Sequence, residues 1–135
     1  MEKITVTTKK PKEIIDITNE INRKLKSENA SSGLCHLFAS HTTCALTTAD
    51  LDPGTDQDML DAFEEMVPKL PYHHPHNPSH VGDHIMSSVL GPSVTIPVEN
   101  GQLVLGTWQR VVLIELYGPR EREVIVSFLK EEDRN

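Results

Sequence analysis

Cysteine, basic charge and long apolar runs are all scarce in this sequence, and each shortage excludes a class of protein. Two cysteines, Cys35 and Cys44, are too few for the disulfide framework of a small secreted domain, so we expect both to be thiols in a reducing compartment. No apolar run approaches the roughly 20 residues of a membrane span, and the N-terminal stretch lacks the apolar core of a signal peptide. The sequence therefore predicts a cytoplasmic protein without a membrane partner.

Basic residues are outnumbered, because 13 Lys and Arg stand against 20 Asp and Glu and give a formal net charge of −7. They are scattered rather than aligned in a stripe, which argues against the broad basic surface of a nucleic-acid-binding protein. A small anionic ligand held by one or two arginines is compatible with this charge. The length of 135 residues fits a single domain over 1–135.

Hydrophobic periodicity predicts a strand and then a helix at the N-terminus. The strand is expected at 3–8 and the helix at 11–27, since Pro11 is tolerated in a first helical turn. The apolar stripe of this helix has spacings of three or four residues and consists of Ile14, Ile17, Ile21 and Leu25. Residues 33–49 are β-branched and apolar, and they predict one long bent strand or two short ones.

The middle of the chain predicts two further helices. Asp52 is expected to cap the first of them, which ends near Pro68. Ser79 is expected to cap a short helix over 79–90. The buried face of the first is predicted to hold Met59, Leu60, Phe63, Met66 and Val67.

The C-terminal part predicts four apolar strands, at 93–98, 102–107, 109–118 and 123–129. Asn100-Gly101, between the first two, is a strong hairpin-turn signal. Local connections among these strands predict an α+β fold, with an antiparallel sheet or β-sandwich and two to three helices on one side. Several strands are apolar enough to allow subunits to pack through a sheet face.

Five of the seven histidines lie within 72–84, and three interpretations of this cluster are open. His80 and His84 are four residues apart, so a helix would project both rings from one face and allow them to grip one metal ion. His74 and His76, two apart in an extended loop, would also point one way. Neutral imidazoles suit zinc, nickel or copper, but they also suit proton transfer, or are only polar residues of a proline-rich loop.

His41, in "SHTTCALTTADLD", is the best-placed single histidine. It lies among small polar residues and leads into a turn with Asp50 and Asp52, so it can be a metal ligand or a general base oriented by a carboxylate. Alternation places Thr43 on the same strand face as His41, and Cys44 on the other face. Cys44 is therefore expected to be a buried apolar thiol rather than a catalytic nucleophile.

Two further segments offer ligand contacts. In "LGTWQRV", Trp108 can stack on an aromatic ligand while Gln109 bonds its polar edge, although a core tryptophan at a sheet bend is the favoured alternative. In "GPRER", Arg120 and Arg122 are either solvated at a turn or positioned to hold a phosphate.

These segments together resemble the YjbQ-like family, described as secondary thiamine-phosphate synthase. The resemblance is carried by "SVTIPVENGQLVLGTWQRV" (93–111), by "SHTT" with the acidic "DLDP" turn, and by "YHH", "DHI" and "YGPR" in the same order. It spans about residues 33–128. It implies an α+β protein with an antiparallel β-sandwich, assembled as a homotrimer with polar pockets near the subunit interfaces.

The resemblance also implies a site. The family's histidines fall on His41, His74 and His84, which would surround a small ligand or a divalent metal, with zinc expected. The acidic position falls on Asp52, which would orient one imidazole, so the implied catalytic residues are His41, Asp52 and His84. The candidates for ligand contact are Thr43, Trp108, Gln109 and Arg120.

The activity attached to the family joins a thiazole phosphate to a pyrimidine diphosphate and releases pyrophosphate, which implies a small phosphorylated ligand. One rival is a non-catalytic metal- or metabolite-binding homotrimer, and another is a set of histidines that serve only trimer packing. Two departures from the family bear on the site. The turn after "HTT" is shorter here, and the segment 72–84 is longer and carries extra histidines at 73, 76 and 80.

Overall fold

The computed structural model describes residues 2–73 and 78–132, which hold three α-helices and eight β-strands. The strands form two antiparallel sheets, so the predicted α+β fold is confirmed. No helix in these two ranges is long and apolar enough to cross a membrane. In chain order the elements are β1 (Glu2–Thr7), β2 (Glu13–Asp16), α1 (Thr18–Ser27), β3 (Gly33–Ala39), β4 (Cys44–Ala49), α2 (Thr55–Met66), a 3-10 turn (Pro78–His80), α3 (Val81–Leu90), β5 (Ser93–Glu99), β6 (Gln102–Leu103), β7 (Arg110–Glu115) and β8 (Glu121–Lys130).

The larger sheet has the strand order β1-β8-β3-β5-β6, and the smaller has the order β2-β7-β4. The hairpin between β5 and β6 is confirmed, because Asn100 and Gly101 both adopt the positive φ that a two-residue turn of this kind requires. The expected run of local pairings among the last four strands is wrong, since β7 lies in the smaller sheet and β8 pairs with β1 and β3. Alternation shows which residues face a core, but not which strand is the neighbour.

Two apolar clusters make up the core. The larger fills the space between the sheets and includes Ile17, Ile21 and Leu25 at the start and on the buried face of α1. The smaller lies on the outer face of the three-stranded sheet, where Leu60 of α2 and Met86 of α3 cover Ala45, Val112, Ile114 and Leu116. The helices therefore do not all lie on one side, because α1 contributes to the cluster between the sheets.

The predicted helix over 11–27 is wrong in its first part. Residues 13–16 form β2, in which Ile14 is opposite Ile114 of β7, and the helix begins only at Thr18. The spacing of three residues between Ile14 and Ile17 fits one continuous helix. The same spacing also occurs when the first residue lies in a strand and the second lies just before a new helix, as it does here. Here the free backbone edge of β7 decides between them, since strand pairing satisfies its N–H and C=O groups.

The second and third predicted helices exist, but their caps differ from the prediction. The N-cap residues are Gly54 and His80 rather than Asp52 and Ser79, and neither makes a side-chain cap hydrogen bond. The helix before Pro68 ends at Met66, whose side chain is exposed rather than buried.

The outer face of the five-stranded sheet carries exposed apolar side chains. Leu34 of β3 is directly opposite Leu129 of β8, and Phe38 is opposite Ile125. Leu34, Phe38 and Leu129 are all exposed in the single chain. An apolar patch of this kind on a sheet face is typical of a protein interface.

Candidate functional site

Strand β4 divides the predicted site residues into two groups. His41 and Thr43 precede this strand, whereas Asp52 follows it, and six strand residues span roughly 17 Å. Gln109 belongs to the second group, since its Nε2 donates to Oγ1 of Thr48 near the end of β4, at 3.0 Å. Within one chain, the structure therefore does not bring Asp52 to His41.

His41 lies in the link between β3 and β4 and is half-buried. Its Nε2 accepts the backbone N–H of Glu123 at 2.8 Å, so in the neutral ring the proton is assigned to Nδ1. Burial lowers the pKa of His41, and the nearby charge of Arg122 lowers it further, against the opposing effects of Glu123 and Glu115. Near neutral pH, His41 is thus an uncharged ring that presents an N–H donor.

A buried ion pair joins Glu115 of β7 to Arg122 of β8, and both of its charges affect the pKa of His41. Nε of Arg122 donates to Oε1 of Glu115 at 2.9 Å, and Nη2 donates to Oε2. Glu115 is 0% exposed and Arg122 is 3% exposed. Arg122 is therefore neither a solvated nor a phosphate-contacting arginine, because its guanidinium is used inside the protein.

The sequence offered a signal for this pair that the interpretation missed. Glu115 ends the apolar run "VVLIE", and Arg122 alternates with Val124 and Val126 on the inward face of β8. A charged residue at an inward position of an apolar strand is expected to have a buried partner of opposite charge. Glu115 and Arg122 belong to different sheets, so only the packing of the two sheets against each other identifies the partner.

Thr43 is part of this network. Its backbone oxygen and its Oγ1 both accept from Nη2 of Arg122, at 3.0 and 2.9 Å. The side chain is buried, so Thr43 holds Arg122 in place rather than presenting its hydroxyl to solvent.

Arg120 is the exposed arginine of the "YGPR" turn. Its Nε donates to the backbone oxygen of Tyr117 at 2.8 Å, and its guanidinium lies 5.0 Å from the centre of the Tyr117 ring. Within the described part of the chain no other donor of this guanidinium is bonded, so the four N–H groups of its terminal nitrogens are available to a ligand. The charge of Arg120 also acts to lower the pKa of His41, but less than that of Arg122.

The start of α3 brings two histidines to the same turn. The rings of His80 and His84 have centres 5.3 Å apart, which confirms that the two residues share one face, and the His80 ring stacks on Tyr117 at 4.4 Å. A cavity of about 580 Å³ opens beside them, with His80, Tyr117 and the Lys12–Asp83 ion pair in its wall. His74 and His76 lie outside the described residues.

The described residues include only two of the three expected zinc ligands, His41 and His84. No group of three or more His, Cys, Asp or Glu side chains in ranges 2–73 and 78–132 is placed to hold one metal ion. A metal at Nε2 of His41 would have to displace the hydrogen bond from Glu123, and a metal at Nδ1 would have to displace the ring proton. The zinc expectation, which also involves His74, stays a prediction.

Comparison with known proteins identifies the family. The family described as UPF0047 protein YjbQ-like matches residues 2–131. This chain belongs to the YjbQ-like family. A UPF0047 protein of Archaeoglobus fulgidus is 41% identical over 127 residues, covering 93% of this chain and 98% of the relative. UPF0047 protein YugU of Bacillus subtilis is 34% identical over 130 residues, covering 96% of this chain and 98% of the relative.

Solved structures agree with this YjbQ-like assignment. A crystal structure of a YbjQ-like protein of unknown function from Sulfolobus solfataricus P2 has a TM-score of 0.88 to this chain, at 32% identity and with 96% of each chain covered. A crystal structure of a conserved protein of the yjbq/upf0047 family from Clostridium acetobutylicum has a TM-score of 0.86 at 34% identity, covering 96% of this chain and 100% of that one.

In this YjbQ-like chain, Trp108 lies in the second group of site residues and is 71% exposed, so the core alternative is wrong. It belongs to a turn that Gln109 holds in place, because the Gln109 amide bonds both Thr48 and the backbone N–H of Gly106. The Gln109 amide therefore fixes the turn that carries Trp108 to Thr48 of β4. An exposed tryptophan on a well-held turn is suited to stacking on a ligand or on a neighbouring subunit.

Both cysteines of the YjbQ-like chain are buried thiols, as the sequence predicts. Burial raises the pKa of Cys35 and of Cys44 to about 11. A thiol of this kind is a poor nucleophile at neutral pH, so Cys44 contributes to the core rather than to catalysis.

Proposed function

We propose that this YjbQ-like chain binds a small phosphorylated organic ligand beside His41 and Arg120. The proposal is carried by the hydrogen bond from Glu123 to Nε2 of His41, which leaves Nδ1–H as a donor, together with the exposed guanidinium of Arg120. Charge-assisted N–H donors of this geometry suit phosphate oxygens. The buried Arg122 adds positive charge to the environment of His41 without contacting the ligand.

The cavity beside Tyr117 supports an organic ligand rather than phosphate alone. Its volume of about 580 Å³ lies in the range of small-molecule sites. Tyr117 is shared, since its ring forms part of the cavity wall and also lies under the guanidinium of Arg120. The cavity lining includes neither Arg120 nor His41, so a ligand with its phosphate on Arg120 would extend past Tyr117 to place its organic part in this cavity.

Thiamine-phosphate synthesis is the reaction we propose for this site. A ring nitrogen of the thiazole phosphate would form a bond to the methylene carbon of the pyrimidine diphosphate, and the carbon–oxygen bond to pyrophosphate would break. Arg120 and Nδ1–H of His41 would bind the leaving pyrophosphate, whose negative charge increases during the step. The non-catalytic alternative uses the same contacts to retain a metabolite without turnover.

We further propose that the functional unit is a homotrimer whose sites lie between subunits. Within one chain, Trp108 and His41 lie at opposite ends of β4, whose six residues span roughly 17 Å. If both contact one ligand, they must come from different subunits. The apolar patch of Leu34, Phe38 and Leu129 offers a sheet face through which subunits can pack.

The binding proposal is tested by calorimetric titration with inorganic phosphate and pyrophosphate. We expect the wild-type protein to bind both, and Arg120→Met to bind neither. Arg110→Met is the matched control, because it removes the same charge but lies at the other end of β7, paired with Asp16. Absence of binding by the wild type, or equal loss in the two variants, would contradict the proposal.

A turnover assay separates the synthase from its alternative. Purified protein is given thiazole phosphate and pyrimidine diphosphate, and thiamine phosphate is quantified beside a His41→Ala variant. Formation above this variant supports the synthase. Phosphate binding with no product supports the non-catalytic binding protein.

A further inference from the structure

The link between β1 and β2 is bonded to the turn that carries Arg120. The backbone N–H of Thr8 donates to the backbone oxygen of Arg120 at 2.8 Å, and the N–H of Gly118 donates to the backbone oxygen of Pro11 at 2.9 Å. These bonds join residues more than 100 positions apart in sequence. The turn is therefore held by the N-terminal link as well as by its own strands.

Packing leaves no room between this link and the turn. A Cβ added at Gly118 would collide with the backbone oxygen of Lys10, and would lie 2.8 Å from Cγ of Glu115 and 2.9 Å from Oγ1 of Thr8. Only glycine allows so close an approach. The turn thus rests directly on Thr8 and Glu115.

The hydroxyl of Thr8 lies where the turn meets the buried ion pair. Oγ1 accepts the backbone N–H of Arg120 at 2.8 Å and donates to Oε1 of Glu115 at 2.7 Å. Thr8 is 3% exposed, so water cannot readily replace either bond. One hydroxyl therefore connects the backbone of the exposed arginine to the buried carboxylate that pairs with Arg122.

We infer that Thr8 is a positioning residue that sets the place of the Arg120 guanidinium and so determines the phosphate affinity of the site. The inference rests on the proposed function, in which Arg120 contacts phosphate. Thr8 itself does not touch the ligand. It acts by ordering the Arg120 backbone before binding, which removes part of the ordering cost from the binding step.

The test compares three threonine variants by calorimetric titration with pyrophosphate. Thr8→Val keeps the shape of the side chain but removes the hydroxyl, and Thr8→Ser keeps the hydroxyl. Thr18→Val is the matched control, since Thr18 is 2% exposed and its Oγ1 accepts the backbone N–H of Val111 at 2.8 Å, away from the turn. We expect Thr8→Val to weaken binding about tenfold, the equivalent of one net hydrogen bond, Thr8→Ser to restore it, and Thr18→Val to leave it unchanged.

Loss of binding in Thr18→Val to the same extent, or wild-type affinity in Thr8→Val, overturns the inference. A ligand-independent readout distinguishes its failure from failure of the proposed function. Amide hydrogen exchange at Arg120 should speed up in Thr8→Val, and return to the wild-type rate in Thr8→Ser. If the wild type binds no pyrophosphate, the proposed function fails. Faster amide exchange at Arg120 in Thr8→Val then still supports the positioning role, and an unchanged rate contradicts it.

Discussion

The backbone N–H of Glu123 donates to Nε2 of His41 across 2.8 Å and joins the third residue of β8 to the link between β3 and β4. This bond determines which nitrogen of His41 carries the proton, and it occupies one of the two nitrogens that a metal could use. It therefore turns a histidine that the sequence associates with either metal binding or proton transfer into an N–H donor. The predictions below follow from this bond, from the buried ion pair and from the separation of the two residue groups.

We expect stability to decrease as the pH falls below about 6.5, the ordinary pKa of histidine. Burial and Arg122 lower the pKa of His41 in the folded chain. Between the lowered value and the ordinary one, the unfolded chain binds a proton that the folded chain does not, so acidification favours unfolding. Urea unfolding at pH 7.5 and pH 5.5 measures the effect, and His41→Gln should show a smaller difference between the two pH values. An equal difference in this variant would contradict the assignment.

Replacing one partner of the buried ion pair should be costly. Glu115→Gln leaves the Arg122 charge without its counter-charge in a site closed to water, and we expect the free energy of unfolding to fall by about 3–5 kcal/mol. Glu123→Gln is the control, since its exposed pair with Lys3 should be worth at most about 1 kcal/mol. The double variant Glu115→Leu/Arg122→Met should lose less than Glu115→Gln alone, and a larger loss would count against this account.

The same pair predicts a second acid-sensitive range. Burial acts to raise the pKa of Glu115, but hydrogen bonds from Arg122, Thr8 and the backbone N–H of Tyr117 lower it below its usual value. Stability from this carboxylate is present above the unfolded pKa of about 4.3 and is lost as the pH falls through the lowered folded value. Acid unfolding of Glu123→Gln should follow the wild type in this range, whereas the double variant Glu115→Leu/Arg122→Met should show a shallower decline.

Removal of divalent metal should leave phosphate binding unchanged. The contacts that we propose are N–H groups of Arg120 and His41, and neither requires a metal. Calorimetric titration with pyrophosphate before and after treatment with EDTA tests this expectation, with elemental analysis of zinc in both samples. A tenfold or greater loss of affinity that zinc restores would contradict it and would support the zinc site of His41, His74 and His84.

Mixing two inactive variants tests whether the site lies between subunits. Sedimentation should first show a mass of three times 15.1 kDa. His41→Ala and Trp108→Ala should each lose binding of thiamine phosphate, which calorimetric titration measures in both, since Trp108→Ala removes the single tryptophan and its fluorescence. After the two variants are unfolded together and refolded, about a quarter of the sites should combine an intact His41 with an intact Trp108. A site within one subunit would regain none.

Several elements could be predicted because their signal is local. The Asn100-Gly101 turn was predicted from two residues, and α2 from its periodicity and the proline that follows it. The strand at 13–16 was missed because its apolar spacing also fits a helix, and pairing with β7 decides the outcome. The predicted helix caps were wrong because the N-cap positions fall on Gly54 and His80 rather than on Asp52 and Ser79, since a capping residue type does not fix where a helix begins.

In the candidate site too, residues with a local sequence signal could be predicted, and residues whose role depends on distant partners could not. His41, Arg120 and His84 stand out by residue type. The structure brings His80 and Arg120 to the Tyr117 ring, and the His84 ring lies beside that of His80. Thr8 has no local signal, because its partners Glu115 and Arg120 lie 107 and 112 residues away. The group of Asp52, Trp108 and Gln109 resembles the family's pattern, but the length of β4 separates it from His41 in one chain.

The sequence by itself determined the family, the α+β class and the residue types able to contact an anion, because motifs and periodicity are properties of neighbouring positions. Only the tertiary structure decided that Arg122 is buried against Glu115 while Arg120 is exposed, and that His41 presents Nδ1–H. These outcomes depend on which strands are neighbours and on which side chains lose contact with water. Both are set by packing between distant segments, which local sequence patterns do not specify.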